Sequence, residues 1–167
     1  MLKGYSKFLD CLEKIEKAVL AVSVGVMVII IVYQVVMRYI FSNANSWSEE
    51  LARYLFIYDV MIGAAIAIRR NSHLQIDMLI NRFKPRTKCA FTVGTTLVGM
   101  VFLAFLFVYS LDLCRMGSRT MSAGLGVPMS IPYASVPIGI GLMLLTSLEV
   151  VLKNMDGLRG SEKEART

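Results

Sequence analysis

The chain has 167 residues, of which 56% are hydrophobic and 18% charged, and its net charge is +6. A soluble domain runs at roughly 45–50% apolar and about 25% charged. The composition therefore excludes a disordered chain, and the length leaves little for a soluble catalytic domain beside the apolar runs. One bilayer crossing takes about 20 apolar residues in a helix. The expected class is an all-α membrane protein with four transmembrane helices, amphipathic interfacial helices and short connections.

Residues 1–17 place Tyr5, Phe8, Leu9, Leu12 and Ile15 on one helical face and Lys7, Asp10, Lys14 and Lys17 off it. This predicts an amphipathic cytoplasmic helix, lying on the membrane surface or extending the first span. The first span is expected over 18–37, a charge-free run of 20 residues between Lys17 and Arg38. It exceeds a signal-peptide core and no small-residue cleavage site follows, so the reading retains it as a helix. The second span is expected over 48–70. Its uninterrupted apolar part is short and contains Asp59. Ser46 with Glu49 three residues on reads as a capping box, and Glu49 and Glu50 suit the positive end of a helix dipole.

An interfacial helix is expected over 71–84, with Ile76, Leu79, Ile80 and Phe83 on its apolar stripe and Pro85 ending the pattern. The third span is expected over 89–111, where Gly94, Gly99 and the neighbouring threonines make a small-residue surface suited to close helix packing. The Gly- and Ser-rich stretch that follows cannot be regular throughout. The fourth span is expected over 131–152, with Pro132 and Pro137 in its opening turns. Residues 18–152 thus form the transmembrane domain and 153–167 a polar cytoplasmic tail. Lys and Arg divide fourteen to four between alternate sides. By the positive-inside rule both termini and the 69–88 segment are cytoplasmic. The basic excess is read as topology, not as a nucleic-acid surface.

Cys11, Cys89 and Cys114 show no metal-type spacing. With these helix assignments Cys114 lies across the bilayer from the other two, too far for a disulfide. His73, the single histidine, offers no pair for a bis-histidine haem and no zinc cluster. No phosphate loop and no nucleophile–base arrangement is present. The reading is therefore non-enzymatic and without cofactor or metal.

Three groups of ionisable residues remain. Asp59 lies inside an apolar helix, where a charged side chain marks a functional site by default. It reads either as a proton or cation site, or as a buried carboxylate bonded to another helix or to Tyr33 or Tyr58. Trp47, Glu49, Glu50 and Arg53, with Arg38 just before them, read either as an interfacial belt and capped helix start or as a docking surface. Arg69, His73 and Asp77 recur at helical spacing and read as a surface ladder or a subunit contact. Arg82, Lys84, Arg86 and Lys88 suit anionic lipid headgroups or plain cytoplasmic charge.

Residues 35–77 carry a resemblance. Arg38, Tyr39 and Phe41 end the first span. Trp47, Glu49, Glu50, Ala52 and Arg53 start the second, with Gly63, Ala64 and Ala65 inside it. Arg69, His73, Ile76 and Asp77 form its exit. This resembles the small membrane subunit of the tripartite ATP-independent periplasmic (TRAP) transporters, and Pro128, Pro132 and Pro137 fit that family's entry to helix four. The resemblance implies a large membrane subunit bearing the substrate and sodium sites, a periplasmic substrate-binding protein and a bacterial inner membrane. It also implies import of organic acids such as C4-dicarboxylates or sialic acid, with this chain bracing the large subunit and helping to dock the binding protein. Tyr58–Asp59 departs from the family pattern, which more often has an apolar residue after the aromatic, so Asp59 belongs to this chain and not to the family. The competing reading is a self-sufficient, homo-oligomeric small transporter or ion-conducting protein built on Asp59.

Overall fold

A computed structural model of the protein describes residues 2–43, 45–71 and 85–164. Four helices account for most of it: α1 (Leu2–Tyr39), α2 (Ser46–Asn71), α3 (Pro85–Gly117) and α4 (Ser130–Glu164). Each contains a stretch long and apolar enough to cross a membrane: Gly4–Tyr39, Ser46–Arg70, Val93–Gly117 and Ser130–Leu152. In hydrocarbon a backbone must bond to itself, and apolar runs of this length do so as helices.

The helices are longer than their apolar cores. α1 runs without a break from Leu2, so the amphipathic segment extends the first span and does not form a separate surface helix. α4 continues through Glu164, into the stretch read as a tail. The interfacial helix expected over 71–84 falls, apart from Asn71 at the end of α2, outside the described residues. His73, Asp77, Arg82 and Lys84 fall there too, while Arg86 and Lys88 sit in the first turn of α3.

The packing is an open row in the order α1, α2, α4, α3. Neighbours in that row pack along their length, α1 reaches α4 only slightly, and α3 packs on α4 alone among the described residues. Burial follows this order: half of the apolar window of α4 is buried, against 17% for α2 and 6% for each of α1 and α3. Small residues give α4 its central place. A side-chain carbon at Gly139 would come within 2.6 Å of Met61 Cβ on α2, so glycine lets these two backbones approach. Gly94 and Gly99 of α3 behave differently, because a carbon added at either meets nothing within 4 Å. The small surface of α3 thus faces out of the row and is not used inside it.

Residues 118–129, between α3 and α4, form a short hairpin-like loop. Met121 and Pro128 make an isolated antiparallel bridge, Ser122 N–H bonds Val127 O at 2.8 Å, and Met129 N–H bonds Thr120 O at 2.9 Å. Gly126 turns the chain with φ of 65°, a conformation glycine adopts without steric cost.

Candidate functional site

The structure places polar groups at three levels: at the end that carries both termini, at the opposite end beside the 118–129 loop, and between them inside the apolar row.

At the termini end Arg69 joins three helices. Its Nε donates to Glu149 Oε2 at 2.8 Å, Nη2 reaches Asp10 Oδ1 at 2.6 Å, and Nη1 donates to Glu13 and to Leu9 O. Ser6 Oγ adds a bond to Glu149 Oε1 at 2.9 Å, and Tyr5 OH bonds Leu145 O at 2.9 Å. Arg70 and Lys17 also pair with Glu13. A guanidinium has five N–H donors in a rigid fork, so it can address α1 and α4 together. The side chains of Glu149, Arg69 and Glu13 are only 2%, 11% and 14% exposed. Three cations thus meet three carboxylates, with Arg69, Glu13 and Glu149 enclosed and Asp10, Arg70 and Lys17 on an exposed rim; the enclosed charges are paired, the condition under which buried charge is tolerated.

Arg69 contacts α1 and α4, while His73 and Asp77, read with it at helical spacing, lie outside the described residues. The apolar face of residues 1–17 is split: Phe8 and Ile15 are exposed, whereas Leu9 is buried, and Glu16 is buried with it. Exposed apolar side chains are compatible with lipid, and the buried side of this segment is partly acidic, toward Arg69.

At the loop end Glu50 reaches across to the 118–129 loop. Its Oε2 accepts from the Ser122 hydroxyl and from Leu125 N–H, the latter at 3.1 Å. One carboxylate thus gathers a hydroxyl and a backbone amide of the same loop. Gly124 is required here, because a Cβ would lie 2.9 Å from the Ser46 carbonyl. Glu49 pairs instead with Arg53 at 2.8 Å, both 61% exposed. The start of α2 is tied to the preceding turn by the Ser48 hydroxyl, which donates to Asn45 O at 2.9 Å. Trp47 lies against Tyr33 with ring centroids 5.8 Å apart, and exposed Arg38 stands 6.0 Å from the Tyr39 ring. Tyr54 and Tyr58 tie α2 to the start of α4, at Met129 Sδ and Ile131 O.

Between these ends lies Asp59, 8% exposed, with neither carboxylate oxygen hydrogen-bonded to the protein. The tyrosines expected to hold it are engaged elsewhere: Tyr58 OH donates to Ile131 O at 2.7 Å, and Tyr33 OH accepts from Asn45 at 3.3 Å. Sequence reasoning found Asp59, Arg69 and Glu50 but missed Asp10, Glu13 and Glu149 as partners. Glu149 interrupts an apolar run as Asp59 does, and that signal was present. Cys11 and Cys114 are free thiols, and no group of three metal-ligating side chains occurs among the described residues.

Residues 27–157 match the family model for the DctQ component of tripartite ATP-independent periplasmic transporters. The chain is 25% identical over 154 residues to the sialic acid TRAP transporter small permease protein SiaQ of Vibrio cholerae, covering 92% of this chain and 89% of that protein. It is 23% identical to the C4-dicarboxylate TRAP transporter small permease protein DctQ of the same organism, covering 87% of this chain and 73% of that one. It is also 30% identical to the isethionate TRAP transporter permease protein DctMQ of Oleidesulfovibrio alaskensis, over 80% of this chain but only 22% of that much longer protein.

Proposed function

The chain belongs to the DctQ component family of tripartite ATP-independent periplasmic transporters, and on that premise we propose that it braces the large membrane subunit of a sodium-driven importer of organic acids. It would sit in the bacterial inner membrane with both termini cytoplasmic, as the fourteen-to-four division of basic residues favours. The observation that carries this reading is the open row of helices. A carrier needs a path enclosed by elements that move, whereas here α1 and α3 are peripheral, each only 6% buried in its apolar window. Gly94 and Gly99 leave part of α3 open to close approach by another helix. The match to one portion of the longer DctMQ permease supports a large membrane partner.

Relatives named for sialic acid, C4-dicarboxylates and isethionate all match most of this chain in sequence, so substrate choice would reside on other chains. Arg38, Trp47, Glu49 and Arg53, exposed at the loop end, would help dock a periplasmic binding protein. Arg82, Lys84, Arg86 and Lys88 would meet anionic lipids. The experiment is extraction in mild detergent followed by reconstitution. A large polytopic subunit should co-purify, and binding-protein-dependent uptake driven by a sodium gradient should require both chains. Uptake by this chain alone would support the self-sufficient transporter instead, the reading that the unpartnered Asp59 keeps open.

A further inference from the structure

The side chains of Asp59 and Ser23 share a feature no other described pair shows. Both Asp59 carboxylate oxygens and the Ser23 hydroxyl are buried with no hydrogen-bond partner. Buried polar groups in proteins are nearly always satisfied, and an exception points to a water or an ion.

Helix register brings the two together. α1 and α2 run antiparallel, and Gly63 of α2 lies against Leu20 of α1, whose Cδ1 is 3.6 Å from the position of a glycine Cβ. Ser23 is three residues from Leu20 and Asp59 four residues from Gly63, both toward the end where Tyr33 meets Trp47. Such spacings keep a side chain on the same helix face, one turn away. Ser23 and Asp59 therefore face the same α1–α2 seam at the same depth. The register is maintained at the other end, where Glu13 meets Arg69 and Arg70.

Burial limits what can occupy the seam. With 8% of Asp59 exposed, an organic substrate or a partner helix reaches its carboxylate only by parting α1 from α2. Water and single ions are small enough. Charge limits it further. Arg69 lies ten residues along α2, about 15 Å by helical rise, and is already matched to carboxylates. One carboxylate calls for one positive charge. Divalent calcium takes six to eight oxygens, often from several carboxylates, and no group of three side chains that could hold a metal ion is found among the described residues. The donors are all oxygen, which suits hard cations.

We propose that Asp59 and Ser23 form a mid-membrane site for one monovalent alkali cation, with water completing its oxygen shell. The site is separate from any sodium site on a large subunit and does not depend on the transport reading above.

The test is equilibrium binding of radioactive sodium, with potassium as competitor, to the detergent-extracted protein in whatever assembly it retains. The wild type should hold one more cation per copy of this chain than Asp59→Asn. Ser23→Ala should bind that cation several-fold more weakly. Equal stoichiometry in wild type and Asp59→Asn overturns the proposal. So does an infrared carboxylic-acid C=O band that Asp59→Asn removes, since the occupant is then a proton. If Asp59→Asn fails to assemble, Ser23→Ala decides: unchanged cation affinity overturns the site, and weakened affinity in an intact assembly supports it. A failure to retain a large subunit counts against the transport reading and leaves this measurement intact.

Discussion

The two ends of the molecule close their helices with different chemistry. At the termini end, Arg69 on α2 is held by carboxylates from α1 and α4, charge against charge. At the loop end, Glu50 on the same helix is held by neutral donors, a hydroxyl and a backbone amide of one loop. The first arrangement fastens three helices through long side chains, and its parts are interdependent, because removing one charge strands its opposite. The second fastens a loop to one helix and strands only neutral groups, which water can satisfy near an interface. The same helix thus carries a fixed joint at one end and a releasable one at the other.

The sharpest way to break this contrast is Arg69→Ala. It leaves Glu149, 2% exposed, without its cation, and loss of one member of a buried pair costs about 3–5 kcal/mol. We expect a large fall in the thermal unfolding midpoint of the detergent-extracted protein. Arg69→Lys should fall less, since it keeps the charge but loses the fork that reaches two helices. Replacing both partners, Arg69→Met with Glu149→Leu, should recover much of the loss, because an apolar pair can substitute for a buried ion pair. No recovery in the double variant would mean that the joint acts through Asp10 and Glu13 more than through α4.

Glu50→Ala should have a smaller effect and a local one. The 118–129 loop loses the acceptor that gathers Ser122 and Leu125, while its own bonds from Thr120 to Met129 remain. Amide exchange in the loop should accelerate, and the unfolding midpoint should move less than in Arg69→Ala. Glu50→Gln keeps the size and one carbonyl oxygen and should fall between the two. Exchange that does not change in Glu50→Ala would show that the bridge from Met121 to Pro128, not the carboxylate, holds the loop.

The difference between the ends also marks what could be read in advance. The four spans were legible because an apolar run of crossing length has few alternatives to a helix. Asp59 was legible as a charge in a costly place, and Glu50 and Arg69 as members of charged groups at the helix ends. Their partners were not. Glu149 is 80 residues from Arg69, and no periodicity reports a pairing at that distance. Which side of α1 meets the other helices was not legible either: Phe8 and Ile15 are exposed while Leu9 and Glu16 are buried, and the contact to α2 runs through Asp10 and Glu13. The order of the row was illegible for a similar reason: the mid-helix glycines of α3 and α4 look alike in sequence, yet of Gly94, Gly99, Gly139 and Gly141 only Gly139 meets a neighbour closely.

The smallest expected effect on stability separates folding from docking at the loop end. Arg53 and Glu49 form an exposed i,i+4 pair at 2.8 Å, each 61% exposed, and such pairs contribute about 0.3–0.5 kcal/mol. Arg53→Ala should therefore leave the unfolding midpoint nearly unchanged. If this surface receives a binding protein, the same variant should slow association and flatten its dependence on salt, because rim charges act mainly on encounter rates. Stopped-flow association at two ionic strengths reads both quantities. An association rate and salt dependence equal to the wild type would make Arg53 only a helix-surface partner of Glu49, and would move the docking surface away from the start of α2.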